Sequence, residues 1–146
     1  MMQLEPTIEK RILSDAHSAY PNEGCGFLFG EDRDSIRFIY DFYPVKNAQE
    51  GDQRKLFQIS PVDYLKAERY ADENHVQLLG IYHSHPNAPA IPSEYDRRAA
   101  QPFFSYLIVS LPEEGDPHIR SWLLNEEEKF EEEKLLHSQQ LHESIS

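Results

Sequence analysis

The run Val76–Pro86, VQLLGIYHSHP, constrains the fold of this 146-residue chain more than any other stretch. Leu79 and Ile81 fall in phase with His83 and His85, while Leu78 and Tyr82 occupy the opposite phase, so both faces are apolar. A strand of that kind belongs in the interior of a sheet covered on both sides. It also carries His83 and His85, one residue apart, onto a common face. Pro86 stops the ladder, and a loop containing Pro89 and Pro92 leads to Ser93-Glu94-Tyr95-Asp96, which reads as the opening of a helix. Two imidazoles and a carboxylate from a strand end and a helix start suit a three-ligand metal site. Its fourth tetrahedral position stays open for water, as a hydrolytic zinc centre requires.

The rest of the chain supplies the surroundings of that strand. Ile8, Ile12 and Ala16 recur at helical spacing between Pro6 and Pro21, predicting a helix over about residues 6–20. Residues 23–30 form a glycine-bracketed apolar run, read as a buried strand with Glu23 at its mouth, and residues 31–34 as a turn. Ile36, Phe38, Tyr40 and Phe42 then alternate with Arg37, Ile39, Asp41 and Tyr43, the pattern of a strand with period two. Residues 47–55 read as a loop and 56–59 as a short strand. Ser60-Pro61-Val62-Asp63 opens a helix to about residue 74, with an N-cap serine, proline at the first position and Tyr64, Ala67 and Ala71 facing inward. The helix begun at Ser93 ends before Pro102. Residues 104–110 and 118–124 read as a strand and its hairpin partner, and residues 126–136 as either an edge strand or a helix. The expected class is therefore α/β (mixed α+β), a mixed sheet sandwiched by about three helices. One domain over residues 1–136 and a frayed polar tail over 137–146 are expected.

Composition narrows the chemistry. A formal charge of −12 and a pI near 4.9 argue against nucleic acid as a partner, which needs clustered Lys and Arg. Much of the acidic excess sits in residues 126–133, EEEKFEEE, the composition of a solvated face. The opening MMQLEPTIEKR lacks the apolar core of a secretion signal, no run approaches the ~20 apolar residues of a membrane span, and one cysteine allows no intrachain disulfide. A cytoplasmic protein without a membrane partner is expected. The apolar edge of a small sheet makes a homodimer an expectation to test.

Taken singly, each candidate ligand has an ordinary structural explanation: a hydrogen-bonded core histidine, or an Asp96 that completes a capping box with Ser93. Together, two same-face histidines and a placed acid would be costly to bury unless something binds them. A hydrolase further needs a proton acceptor that is not a ligand, and Glu23, beside its glycine-flanked strand, is the candidate.

Glu23, then His83-Ser84-His85-Pro86, six residues, and Ser93-Glu94-Tyr95-Asp96 resemble the complete JAMM motif of the MPN+ metalloproteases, E…H-S/T-H-P-x6-S-x-x-D. The resemblance covers about residues 5–125. It implies an MPN-type, cytidine-deaminase-like fold, one Zn2+ held by His83, His85 and Asp96, and Glu23 as the base that manages the catalytic water. It further implies Ser93 as a donor to the oxyanion and no catalytic role for Cys25. The chain is similar to the minimal stand-alone prokaryotic form, too short for the insertions of deubiquitinating relatives. The implied substrate is therefore the C-terminal tail of a ubiquitin-like or sulfur-carrier protein, cut at a peptide or isopeptide bond. A non-catalytic MPN scaffold and a zinc peptidase for cell-wall or other short peptides are the alternatives. A zinc deaminase would need H-x-E and P-C-x-x-C elements, and those are absent.

Overall fold

The computed structural model describes residues 1–137. The element order is β1 (Met2–Leu4), α1 (Pro6–Ala19), β2 (Cys25–Arg33), β3 (Ile36–Val45), α2 (Pro61–Glu73), β4 (Gln77–Pro86), α3 (Glu94–Ala99), β5 (Ser105–Leu111), β6 (His118–Leu124), β7 (Phe130–Glu133) and β8 (Leu135–His137). The strands form one mixed sheet in the order β7-β6-β5-β4-β2-β3-β1-β8. The expected α/β class with three helices is what the chain adopts, and β4 lies inside the sheet, antiparallel to β2 and parallel to β5.

The two helices that cover the sheet are specified locally. Proline at the first helical position fits both, since its missing N–H would have had no intrahelical acceptor. Ser60 caps α2 by accepting the Asp63 N–H. Ile8, Ile12 and Ala16 of α1 pack with Leu28, Leu79, Tyr82 and Leu107 on one face of the sheet. Ala67 and Ala71 of α2 pack with Phe27, Phe29, Ile81 and Tyr106 on the other, with Tyr64 half-buried against them.

Strict alternation fails at two points, and each failure is a bulge opposite β2. Phe29 pairs with Asp41 and Gly30 with Ile39, so Tyr40 is an extra residue in β3. Ile39 and Phe42 consequently share one core although their sequence phases differ, while Tyr40 is exposed. Likewise Leu28 pairs with Gly80 and Phe29 with Leu78, leaving Leu79 extra in β4. Leu79 thus joins Tyr82 on the α1 face, and Leu78 joins Ile81 on the α2 face, the reverse of the expected assignment for the two leucines. Gly30 permits this geometry, because a Cβ there would lie 1.7 Å from the Phe38 carbonyl oxygen.

Other expectations shift as well. The turn expected at 31–34 falls at Asp34 and Ser35, whose φ values of 54° and 66° make a tight hairpin, so β2 runs on to Arg33. Residues 56–59 are not a strand. Their backbone bonds go to Asn47, Ala48 and the Tyr95 hydroxyl, with Gln58 N–H donating to Asn47 Oδ1, Leu56 O accepting from Asn47 Nδ2 and Phe57 O accepting from Tyr95. Residues 126–136 contain no helix: β7 pairs with β6, and β8 pairs with the unanticipated β1. Only Lys134 separates β7 from β8, so the two margins of the sheet meet in one continuous segment. The tail expected from 137 lies outside the described residues beyond that position. Among the described residues no helix is long and apolar enough to cross a membrane.

Candidate metal centre

Capping chemistry at α3 aims the carboxylate. Ser93 Oγ accepts the Asp96 N–H at 3.0 Å, and Asp96 Oδ2 accepts the Ser93 N–H at 2.9 Å, which completes a capping box. Held that way, the same Oδ2 lies 3.2 Å from His83 Nε2 and 3.1 Å from His85 Nε2, and the two nitrogens are 3.0 Å apart. Capping acid and candidate ligand, alternatives when read from sequence, are compatible in one carboxylate. The strand side is equally determined: Cys25 of β2 pairs with His83, so the start of β2 and Glu23 just before it stand beside the histidines.

The donor set fits a divalent cation. His85 Nδ1 lies 2.9 Å from the Pro89 carbonyl, which can only accept, so the Nδ1 hydrogen is committed there and Nε2 presents a lone pair. His83 is buried and stacked on Phe57, with ring centroids 4.4 Å apart, and its Nδ1 has no protein partner. Tetrahedral coordination with metal–nitrogen bonds of about 2.0–2.1 Å separates neighbouring ligands by about 3.3 Å. The observed 3.0–3.2 Å separations are close to that edge. Glu23 forms a looser group with the histidines, its carboxylate within 4.8 Å of both, and its Oε1 is buried without a hydrogen-bond partner. Asp96 is thus the nearer acid, and Glu23 stands off at a distance suited to a group acting on something bound between.

Electrostatics separate these groups. Burial pushes the Glu23 carboxyl up to about 8, with His85 opposing and Asp96 adding to the rise. Burial also lowers His83 against the pull of Asp96. For His85, burial works downward but is outweighed by Asp96, the Pro89 carbonyl and Glu23, so its proton affinity is raised. Asp96 is held below the usual carboxylate range despite burial, because both histidines and the Ser93 N–H face it. The ionised Asp96 oxygen is therefore the negative charge at the point where the two imidazole nitrogens meet it.

Two cavities flank this point. A cleft of about 720 Å3 is lined by Glu23, His85 and Ser93 together with Pro21, Lys55 and Ile91. On the other side a cavity of about 290 Å3 reaches His83 and Asp96 past Phe57 and Tyr95. All five residues expected from sequence, Glu23, His83, His85, Ser93 and Asp96, are brought together here. Cys25 is buried with its thiol toward the Val45 carbonyl, and burial, together with Asp15, Glu23 and Asp63, pushes it up to about 12. A protonated thiol of that kind is inert. Phe57 and Asn47 went unnoticed in the sequence, since no local spacing ties either to the histidines.

A mixed sheet covered by helices on both faces, with a His-x-His strand end facing a capping aspartate and a buried glutamate, defines a JAB1/MPN-type domain. The chain belongs to the prokaryotic homologs of the JAB domain, a family that residues 6–125 match. It is 30% identical over 115 residues to the desampylase of Pyrococcus furiosus, covering 78% of this chain and 75% of that one. A probable TtuB-protein conjugate cleaving protease of Thermus thermophilus is 33% identical over 106 residues, 73% of this chain and 64% of that one. Tail tip assembly protein K of Escherichia phage N15 is 32% identical over 106 residues, 72% of this chain but only 39% of the phage protein. A solution structure from Desulfitobacterium hafniense matches with a TM-score of 0.85 at 34% identity, over 94% of this chain and 92% of that one. A JAB1/MPN domain protein of Archaeoglobus fulgidus, at 21% identity and a TM-score of 0.58 over 94% and 96% of the two chains, shares the fold.

Proposed function

We propose that this protein is a zinc-dependent isopeptidase that hydrolyses the peptide or isopeptide bond at the C-terminal tail of a ubiquitin-like or sulfur-carrier protein. The observation that carries the reading is the meeting of His83 Nε2, His85 Nε2 and Asp96 Oδ2 within 3.0–3.2 Å beside an unpartnered Glu23 oxygen. The relatives named desampylase and TtuB-conjugate cleaving protease support the substrate class. A scaffold without activity would have no use for a complete set of ligands and base.

His83, His85 and Asp96 would hold the zinc, which when bound lowers the pKa of a water to about 7 and polarises the scissile carbonyl. Glu23 takes the proton of the attacking water at its unpartnered oxygen and delivers it to the leaving amine as the C–N bond breaks. Burial raises this carboxyl to about 8 in the metal-free protein, and a cation held beside it would draw it back down toward neutrality, where it can both accept and release a proton. Ser93 uses a lone pair to accept the Asp96 N–H, which leaves its O–H free to donate to the oxyanion. Its capping and oxyanion roles are therefore compatible in one geometry. The tail and the leaving amine would occupy the two cavities on either side of the histidines.

Metal analysis and cleavage assays test the proposal together. Wild type and Glu23→Gln should each carry one equivalent of zinc, and His85→Ala should lose it. Only wild type should cleave tailed β-grasp proteins and their conjugates. No metal in wild type purified without chelators would overturn the zinc reading. The likeness to a phage tail protein brings short peptides into the same panel, and cleavage of those alone would overturn the substrate class.

A further inference from the structure

Asn47 is 8% exposed and uses its whole hydrogen-bonding capacity on backbone groups. Its Nδ2 donates to the carbonyls of Glu23 and Leu56, each at 3.1 Å. Its Oδ1 accepts the N–H groups of Gln49 at 2.9 Å and Gln58 at 3.1 Å. Because two partners can only accept and two can only donate, the amide has a single workable orientation. The loop that Asn47 closes returns to the same place from its middle, where Gln53 O accepts the Glu23 N–H at 2.7 Å. Both backbone polar groups of Glu23 are thus taken by this loop. The neighbouring Gly24 is pinned from the other side, its N–H donating to Ser84 Oγ at 2.8 Å and its carbonyl accepting the Ser84 N–H at 3.1 Å. The Glu23 side chain, by contrast, has a buried oxygen with no protein partner, so the backbone is what places it. The same loop puts Lys55 in the wall of the larger cleft and stacks Phe57 on His83.

We infer that Asn47 is a positioning residue that locks the Glu23 backbone, the cleft wall around Lys55 and the Phe57–His83 stack into one preorganised unit. This rests on the proposed hydrolase reading for its catalytic consequence, but not for its structural one. The expected behaviour differs from that of an asparagine that merely closes a loop. Loss of loop closure alone weakens substrate capture, whereas loss of the tether to Glu23 displaces the base in the transition state and lowers kcat.

Two variants separate these effects. Asn47→Asp keeps the oxygens that Gln49 and Gln58 use and removes the donors to Glu23 and Leu56. Its kcat on a conjugate cleaved by wild type should fall ~10–100-fold, with KM within about threefold and zinc content unchanged. Asn47→Ala, which loses both sets of bonds, should show the same fall in kcat with a raised KM. Backbone amide exchange read by NMR provides a measurement free of activity: the Glu23 and Gly24 amides should exchange about tenfold faster in both variants, with Ile81 and Leu107 unchanged. A kcat within twofold of wild type for Asn47→Asp, or unaltered exchange at Glu23, would overturn the inference. If wild type cleaves nothing in the panel, the hydrolase reading fails, and the exchange measurement still decides the role of Asn47.

Discussion

Glu23 should make the stability of the metal-free protein depend on pH in a way that Glu23→Gln does not. The carboxyl is 4% exposed and held up to about 8, chiefly by burial, against an ordinary value of 4.5. Its folded form binds a proton more tightly than its unfolded form. The resulting stability is complete below about pH 4.5 and disappears as pH rises through about 8. Integrating the linkage relation between those two values gives a loss of about 3.5 kcal/mol from pH 5 to pH 8. Glutamine does not titrate, so subtracting the two curves isolates Glu23 together with the part of the His85 shift that Glu23 causes. Urea unfolding in EDTA at one-unit pH intervals measures this difference. Wild type should lose about 3.5 kcal/mol relative to Glu23→Gln across that range. Stabilities that run parallel across it would show that the burial of Glu23 does not perturb it, and the argument for a base poised near neutrality would fall. Added zinc should flatten the difference, because a cation beside the carboxylate favours its ionised form.

Three further outcomes follow from the same geometry. Ser93→Ala should cost about 1 kcal/mol in denaturant unfolding from the lost cap, and kcat should drop about 10²–10³-fold from the lost oxyanion donor. Asp96→Asn should abolish zinc binding in metal analysis, since an amide is a poor replacement for the charged ligand; retention of one equivalent would transfer its ligand role to Glu23. Gly30→Ala should destabilise by about 3 kcal/mol or more in thermal or urea unfolding, because the new Cβ would meet the Phe38 oxygen at 1.7 Å and force β2 from β3.

The metal-centre elements that are near one another in sequence were legible without the structure. One intervening residue puts His83 and His85 on a common face, Pro86 ends the strand, and Ser93 to Asp96 is the spacing of a capping box. Helix starts at Pro6 and Ser60 were equally plain, being set by chemistry within one turn. Where local pattern misled, a long-range pairing had intervened. The phase of Leu78 and Leu79 and of Ile39 and Phe42 depends on bulges opposite Leu28, Phe29 and Gly30, and a bulge in one strand is defined only by its partner. Residues 56–59 have a strand-like composition, yet their backbone bonds go to Asn47, Ala48 and the Tyr95 hydroxyl instead of a neighbouring strand.

By itself, then, the sequence determined the two-faced central strand, the histidine pair at its end and the capped acid that follows, because helical and strand periodicities act over a few residues. Its place at the mouth of a glycine-flanked strand, and then the resemblance, put Glu23 forward as the base, but only the tertiary structure brought it beside the histidines through the pairing of β2 with β4. Only the tertiary structure joined the sheet margins through residues 130–137 and closed the 47–58 loop on the Glu23 backbone. Those features join residues tens of positions apart, and the choice among such pairings is made by which buried donors and acceptors can all be satisfied at once.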